Sequence, residues 1–331
     1  MAVLYVDEYG AVVRYSAGLV LVEKDGCPIS SVRVQDIESV VIEENALLTS
    51  AAIAAFLNEG VDVAFLNGRG EYIGKIESAL KKDITLRRRQ YSLSEDVDFC
   101  TGLAKRFVAS KLANMRTIVL RYARKQEPDR LTEIAGRIKE AAVLAGAADS
   151  IDAIRGFEGV GSKEYFSALG LIISEPFQFA GRNRRPPKDP VNAMLSFAYA
   201  LLENYVERAV SIAGLDPYCG FFHREAYGRQ GLVLDLMEEF RPVIADSVVI
   251  LCCNQHRLKP DQDFEDVEGG VYLNESGRQK LFEAFERRMK ENVKTYSGSC
   301  VNYARVCVEQ ARLIAKCIRN GKPDYKPFLV R

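Results

Sequence analysis

Between Ile76 and Val97 the hydrophobic period of the chain changes, and the change demands two dissimilar parts. Before it, short runs rich in Val, Ile, Leu and Tyr are broken by Gly, Asp and Asn. Residues 2–6, 11–22, 31–43, 62–66 and 71–76 therefore read as strands, with Asp25-Gly26 and Asn67-Gly68 as hairpin-type dipeptides. One helix is expected among them, Thr49 to Leu57, capped by Thr49 or Ser50 and stopped by Asn58-Glu59-Gly60. After it, Val97 to Lys125 sets Leu103, Phe107, Leu112, Ile118 and Tyr122 at helical spacing among Lys105, Arg106, Lys111, Arg116, Arg121, Arg124 and Lys125. A small β domain carrying one helix is thus followed by a mainly helical one over 97–320. A length of 331 residues suits such a pair.

Charge divides along the same line. Residues 1–74 hold 4 Lys+Arg and 11 Asp+Glu, a net of −7, whereas residues 75–125 hold 13 and 5, a net of +8. The acidic first part, with Asp7, Glu8, Glu43 and Glu44, is expected to be a solvated face and not to grip a polyanion. The basic segment reads either as a soluble face or as a surface that contacts phosphates. Residues 75–96 read as a connector dense in charge, with Lys81-Lys82, Arg87-Arg88-Arg89 and Glu95-Asp96. The start of the chain lacks the basic residues of a signal peptide and no apolar run approaches membrane-spanning length, so a soluble cytoplasmic protein without a membrane partner is expected. Eight cysteines without a C-x-x-C pair read as reduced, mostly buried thiols, and neither histidine has zinc-finger spacing.

The chemistry concentrates in Gly220–Pro242, GFFHREAYGRQGLVLDLMEEFRP. Asp235 follows His223 by twelve residues and Glu238 follows Asp235 by three, so the two carboxylates share one face of an expected helix whose Leu232, Leu236 and Phe240 pack inward. Acids set into an apolar helix need a cation or a basic partner. Upstream, Glu158 stands among Gly159, Gly161 and Ser162, with Tyr165, Phe166 and Leu169 continuing as helix. Oxygens from Glu158 and Glu238 with one imidazole nitrogen suit Mg²⁺ or Mn²⁺ better than zinc, and basic surface beside such a pocket fits phosphodiester chemistry. Further on, residues 181–190 (GRNRRPPKDP) read as a rigid positive loop, and His256 as a surface residue. Gly277 to Tyr296 and Ser299 to Arg319 read as amphipathic helices. The acids of 261–268 lack the glycine a calcium loop needs.

His223, Tyr227-Gly228-Arg229, Asp235, Glu238 and Arg241-Pro242, in that order, resemble the signature of the CRISPR-associated protein one family, the adaptation integrase. The likeness runs along nearly the whole chain. It includes Glu23-Lys-Asp-Gly26, Gln35 to Val41, Gly60 to Phe65, Glu158-Gly159 with Tyr165-Phe166, Arg185-Pro186-Pro187, Asp189 to Asn192, Tyr199, Asp263-Phe264 and Gly269 to Leu273. Gly161-Ser162 stands where many members carry two alanines, and Gly231 where a serine is common.

The resemblance implies an α+β fold: a small N-terminal β-sandwich domain that dimerises (1–78), a charged linker (79–96) and a large all-α C-terminal catalytic domain (97–331). It implies metal ligands at Glu158, His223 and Glu238, with Asp235 as a supporting or alternate ligand and the share of Asp235 and Glu238 open. It implies Mg²⁺- or Mn²⁺-dependent endonuclease and integrase activity in antiviral defence: the 3′-hydroxyl of a captured DNA fragment attacks a phosphodiester at the edge of a repeat in the array. The implied partners are double-stranded DNA (fragment and repeat array), a second copy of the chain, and the small ferredoxin-like CRISPR adaptation protein. Arg87, Arg88, Arg89, Lys105, Arg106, Arg184, Arg185 and Arg229 are the expected DNA contacts. A competing reading keeps the fold as a non-catalytic DNA scaffold. A carboxylate-bridged oxidoreductase fails, because neither histidine belongs to a Glu-x-x-His motif.

Overall fold

The computed structural model describes residues 2–43, 46–66, 72–76, 84–183, 186–223, 226–294 and 300–330. Asn67-Gly68, Glu44, Lys81-Lys82, Arg184 and Arg185 lie outside the described residues. The chain divides into two compact units, residues 1–80 and 81–331.

The first unit contains β1 (Ala2–Val6), β2 (Val12–Ser16), β3 (Leu19–Lys24), β4 (Cys27–Arg33), β5 (Ile37–Glu43), β6 (Leu47–Leu48), α1 (Ser50–Glu59), β7 (Asp62–Leu66) and β8 (Tyr72–Ile76). Two four-stranded sheets result, β1-β5-β7-β8 and β4-β3-β2-β6. In the first, β1, β5 and β7 run parallel and β8 antiparallel. In the second, β2, β3 and β4 form an antiparallel meander, and β6 lies parallel to β2. Two expected strands are each divided. Residues 11–22 turn at Ala17-Gly18, both at positive φ, and residues 31–43 are interrupted by a 3-10 turn at Val34–Asp36. Side chains alternate across β2 and β3, so that Val13, Val20 and Val22 join Val40, Ile42 and Val63 of the other sheet and Phe56 of α1 in one core. Thr49 caps α1 as expected, its Oγ1 accepting from the Ala52 amide at 3.3 Å.

The second unit contains α2 (Ile84–Ser94), α3 (Val97–Ala123), α4 (Pro128–Ala147), α5 (Ile151–Ile172), α6 (Pro190–Ile212), α7 (Gly231–Met237), α8 (Ser247–Asn254), α9 (Glu275–Lys290) and α10 (Tyr303–Asn320). It is mainly helical but not all-α, because two short antiparallel hairpins interrupt it. They are β9 (Phe264–Val267) with β10 (Gly270–Leu273), and β11 (Asn292–Lys294) with β12 (Cys300–Asn302). The second hairpin trims both helices expected there. α9 ends at Lys290, and α10 begins after Asn302, whose side chain accepts from the Arg305 amide at 2.9 Å. The segment read as a charged connector carries α2. All eight cysteines are free and six are buried. Among the described residues no helix is long and apolar enough to cross a membrane.

Two close approaches set the geometry that matters. A Cβ on Gly161 of α5 would stand 2.5 Å from Leu112 Cδ2 of α3, so the missing side chain lets these helices meet beside Lys111 and Glu158. A Cβ on Gly231 would stand 2.9 Å from the Tyr218 carbonyl oxygen and 3.0 Å from the Gly220 amide nitrogen. The glycine at the start of α7 therefore permits the 218–220 backbone to cross it, and a serine there would force the two segments apart.

Candidate functional site

Glu158 lies in the middle of α5, Asp235 on α7, Glu238 one residue beyond that helix, and His223 in the segment before it. The 216–219 backbone that leads to His223 is held by α2. Gln90 Nε2 donates to the carbonyls of Asp216 and Cys219, both at 2.8 Å, and Gln90 Oε1 accepts from the Asp216 amide at 2.9 Å. Arg155 on α5 grips the next stretch through the Phe222 carbonyl (2.5 Å) and lies 5.4 Å from the Phe222 ring. Thus the helix that carries Glu158 also fixes the loop that carries His223.

Asp235 completes that fixation. It is fully buried, and both its oxygens are taken: Oδ2 accepts from the amides of Phe221 (2.6 Å) and Phe222 (3.0 Å), and Oδ1 accepts from the His223 amide (2.8 Å). Oδ1 also lies 2.7 Å from His223 Nδ1. In the neutral ring the tautomer that donates from Nδ1 to this carboxylate leaves the lone pair on Nε2, which lies 4.0 Å from Glu238 Oε1. The carboxylate of Asp235 is thus turned to the 221–223 backbone and the imidazole.

Glu158 and Glu238 converge on the ammonium of Lys111, which comes from α3. Lys111 Nζ donates to Glu158 Oε1, and it sits 2.5 Å from Glu238 Oε2, an ion pair by distance without the angles of a hydrogen bond. Ser162 Oγ donates to the same Glu158 oxygen at 2.8 Å. Arg241 supplies a second cation, its Nε 3.2 Å from Glu238 Oε1, again without hydrogen-bond angles. Its guanidinium lies 4.8 Å from the Tyr199 ring, and that hydroxyl donates to Asp246 at 2.7 Å. Burial alone raises a carboxyl, but Lys111, Arg241 and His223 outweigh it and hold Glu238 at about 2. Burial lowers an ammonium, but Glu238 and Glu158 reverse this and raise Lys111 above its ordinary value. Among the described residues no three metal-type side chains form a closed cage; the carboxylates meet a cation from the protein itself.

The expected DNA contacts separate. Arg229 lines a cleft of about 1040 Å³ together with His223, Arg155 and the exposed Tyr218 and Tyr227. Arg87, Arg88 and Arg89 sit on α2 and Lys105 and Arg106 on α3, outside that lining. In the loop read as rigid and positive, Arg182 turns inward, donating to Asn192 Oδ1 (2.8 Å) and Ser196 Oγ (3.1 Å). Lys111 and Arg241 are named in the sequence without a role at the site, and Gln90 and Arg155 are not singled out there at all.

Asp235→Asn is expected to destabilise the unit by about 1–3 kcal/mol, because an amide cannot accept from all four donors and leaves buried N–H groups unpaired. The same change frees the His223 ring and lowers catalysis. Thermal denaturation beside a strand-transfer assay tests this, and wild-type values in both would refute the positioning role.

A small unit of two mixed sheets followed by a helical unit is the architecture of solved DNA-integration and CRISPR-associated proteins. A casposase bound to integration product matches with a TM-score of 0.84 at 23% identity, covering 97% of this chain and 92% of that one. A Cas1 protein from Thermotoga maritima matches with a TM-score of 0.83 at 21% identity over the full length of both. The family model for CRISPR associated protein Cas1 matches residues 4–287. CRISPR-associated endonuclease Cas1 1 of Thermus thermophilus is 36% identical over 98% of both chains. A Cas4 exonuclease/Cas1 endonuclease fusion of Geobacter sulfurreducens is 34% identical over 99% of this chain, which spans 60% of the fusion's length. The chain belongs to the Cas1 family, and as a member it is a CRISPR-associated endonuclease.

Proposed function

We propose that Glu158, His223 and Glu238 hold a divalent metal, Mg²⁺ or Mn²⁺, and that the chain uses it to join captured DNA fragments to the repeat array by transesterification. The observation that carries this reading is that carboxylates from two separate elements contact one buried cation, with an imidazole Nε2 facing them. Hard oxygens with one nitrogen suit these metals. Such an ion supplies Lewis-acid stabilisation of charge on the phosphodiester and eases loss of the proton from the attacking hydroxyl.

The chain's own groups prepare the rest. Asp235 fixes the tautomer and direction of His223, Arg155 pins the backbone before it, and Arg241 keeps Glu238 ionised. The 3′-oxygen of the fragment bonds to phosphorus as the bridging oxygen leaves with a proton as a new 3′-hydroxyl, so one phosphodiester replaces another. Arg229 and Arg155 in the cleft, with Arg87, Arg88, Arg89, Lys105 and Arg106 outside its lining, are the proposed contacts to duplex DNA, and Arg184 and Arg185 are proposed beside them from the sequence alone. A homodimer formed through the first unit and a small ferredoxin-like adaptation protein are the proposed partners. A solved Cas6-RT-Cas1–Cas2 complex shares the fold (TM-score 0.83, 22% identity, covering 36% of that chain), and its name supports the second. The cytoplasm, where the array resides, is the proposed compartment.

The test is strand transfer on a branched DNA that mimics the integrated product. Wild type is expected to release the flap and reseal the strand in Mg²⁺ or Mn²⁺, and His223→Ala or EDTA to abolish both. If wild type binds the branch and transfers nothing in either metal, the catalytic reading falls and the DNA scaffold takes its place.

A further inference from the structure

Away from the cleft that His223 lines, a second cavity of about 530 Å³ opens between the C-terminal half of α3, α8 and the C-terminal half of α9. Six bases line it, Arg121, Arg124, Lys125, Arg257, Arg287 and Arg288, against the single acid Glu291. Its floor is apolar, from Ile118, Val248, Leu251 and Ala284. Bases in the last turn of a helix are ordinarily explained by the helix dipole, and this accounts for Arg121 on α3 and for Arg287 and Arg288 on α9. It does not account for Arg257, three residues beyond α8, nor for the convergence of all six on one concavity.

Arg288 is the fixed member. Its Nε and one terminal nitrogen donate to the Val243 carbonyl at 3.0 and 2.6 Å, another pairs with Glu291, and the group lies 4.8 Å from the Tyr303 ring. Arg124, Lys125 and Arg287 are exposed around it. Such a gathering of like charge calls for a ligand with several negative charges, and guanidinium groups match phosphate oxygens in number and geometry.

We infer that this cavity is a second phosphate-binding site, and that its ligand is the phosphodiester backbone of the DNA on which the catalytic site acts. The inference rests on the DNA reading above. Position selects the backbone over a free nucleotide. Ile118 and Tyr122 follow Lys111 by seven and eleven residues, so they share its stripe of α3. The ten residues from Lys111 to Arg121 span about 15 Å of helix. Successive phosphates of one strand advance by about 3.4 Å along a duplex. A strand that runs along α3 from the catalytic carboxylates therefore brings a phosphate to the cavity about four or five nucleotides away.

The test compares the full-length chain with Arg124→Ala/Lys125→Ala/Arg287→Ala, three exposed positions whose loss leaves the thermal midpoint in place. Binding of a fluorescent branched DNA is measured in EDTA across a salt series, with sodium triphosphate titrated separately. The triple variant is expected to bind DNA about tenfold more weakly, its salt slope lowered by about 0.9 for each phosphate that is no longer neutralised. A control variant, Arg130→Ala/Lys139→Ala on α4, keeps the wild-type slope. If wild type binds no DNA, the functional reading itself falls. If wild type and triple variant bind with one affinity and one slope, the cavity is no DNA site and the function stands. If triphosphate binds wild type and not the variant while the DNA slope is unchanged, the DNA assignment is overturned in favour of a free polyphosphate.

Discussion

Glu238→Gln is expected to abolish strand transfer and to unfold well below the wild type. The amide keeps the shape of the carboxylate and removes its charge. Lys111 then retains Glu158 alone, and Arg241 loses the carboxylate that faces it, although both cations stay buried. Removing one member of a buried ion pair costs about 3–5 kcal/mol, because the partner's desolvation is no longer offset. For a unit of this size that corresponds to a midpoint lower by on the order of 10 °C.

The deficit has a pH dependence of known sign. In the wild type, Lys111 titrates above its ordinary 10.5, so its stabilising pairing is fully present below 10.5 and is lost as pH rises through the folded value. In Glu238→Gln the same ammonium titrates lower, since burial still lowers it and one of the two carboxylates that raise it is gone. The variant's folded state therefore sheds the costly proton earlier, and the gap between the two proteins narrows as pH approaches 10.5. Thermal denaturation from neutral to alkaline pH measures this. A variant within about 1 °C of wild type at neutral pH would show that the pairing contributes nothing net.

The sequence was most legible where spacing alone carried the information. The i, i+3 step from Asp235 to Glu238, with Leu232, Leu236 and Phe240 packed inward, correctly placed two acids in an apolar setting; those three apolar side chains are fully buried. It could not divide their work, because the division depends on backbone amides. Asp235 faces the N–H groups of residues 221–223, and only the crossing of Gly220 over Gly231 brings them there. α2 was obscured by its composition: Arg87-Arg88-Arg89 reads as a solvated connector, while the buried Gln90 beside it makes the hydrogen bonds that hold the His223 segment. Lys111 was hidden in the opposite way. It was counted among the bases of α3, although it stands four residues after Phe107 and seven before Ile118, on the stripe that packs inward. A lysine that interrupts an apolar stripe is a candidate for a buried counter-charge, and that was the one available signal for this residue.

Lys111→Met puts that role to its sharpest test. Methionine keeps the length and apolar stem of the side chain and removes the ammonium, leaving Glu158 and Glu238 to face each other across the space it filled. In EDTA the variant is expected to unfold on the order of 10 °C below wild type, since two converging carboxylates lose their common cation. The repulsion pushes a carboxyl above its ordinary 4.5 in the folded state. Folding then takes up a proton, and the variant gains stability as pH falls through that raised value. The wild type behaves oppositely over the same range, because Glu238 held at about 2 contributes stability above 4.5 that is lost as pH falls towards 2. Saturating Mn²⁺ is expected to raise the variant's midpoint by several degrees more than the wild type's, because a bound ion adds RT ln(1 + [L]/Kd) to stability and the variant no longer spends part of that binding on displacing an ammonium. Equal metal shifts in the two proteins, or a variant as stable as wild type in EDTA, would mean that Lys111 neither holds the two carboxylates together nor competes for them. Cooperation between the three proposed ligands would then have to arise from the backbone alone.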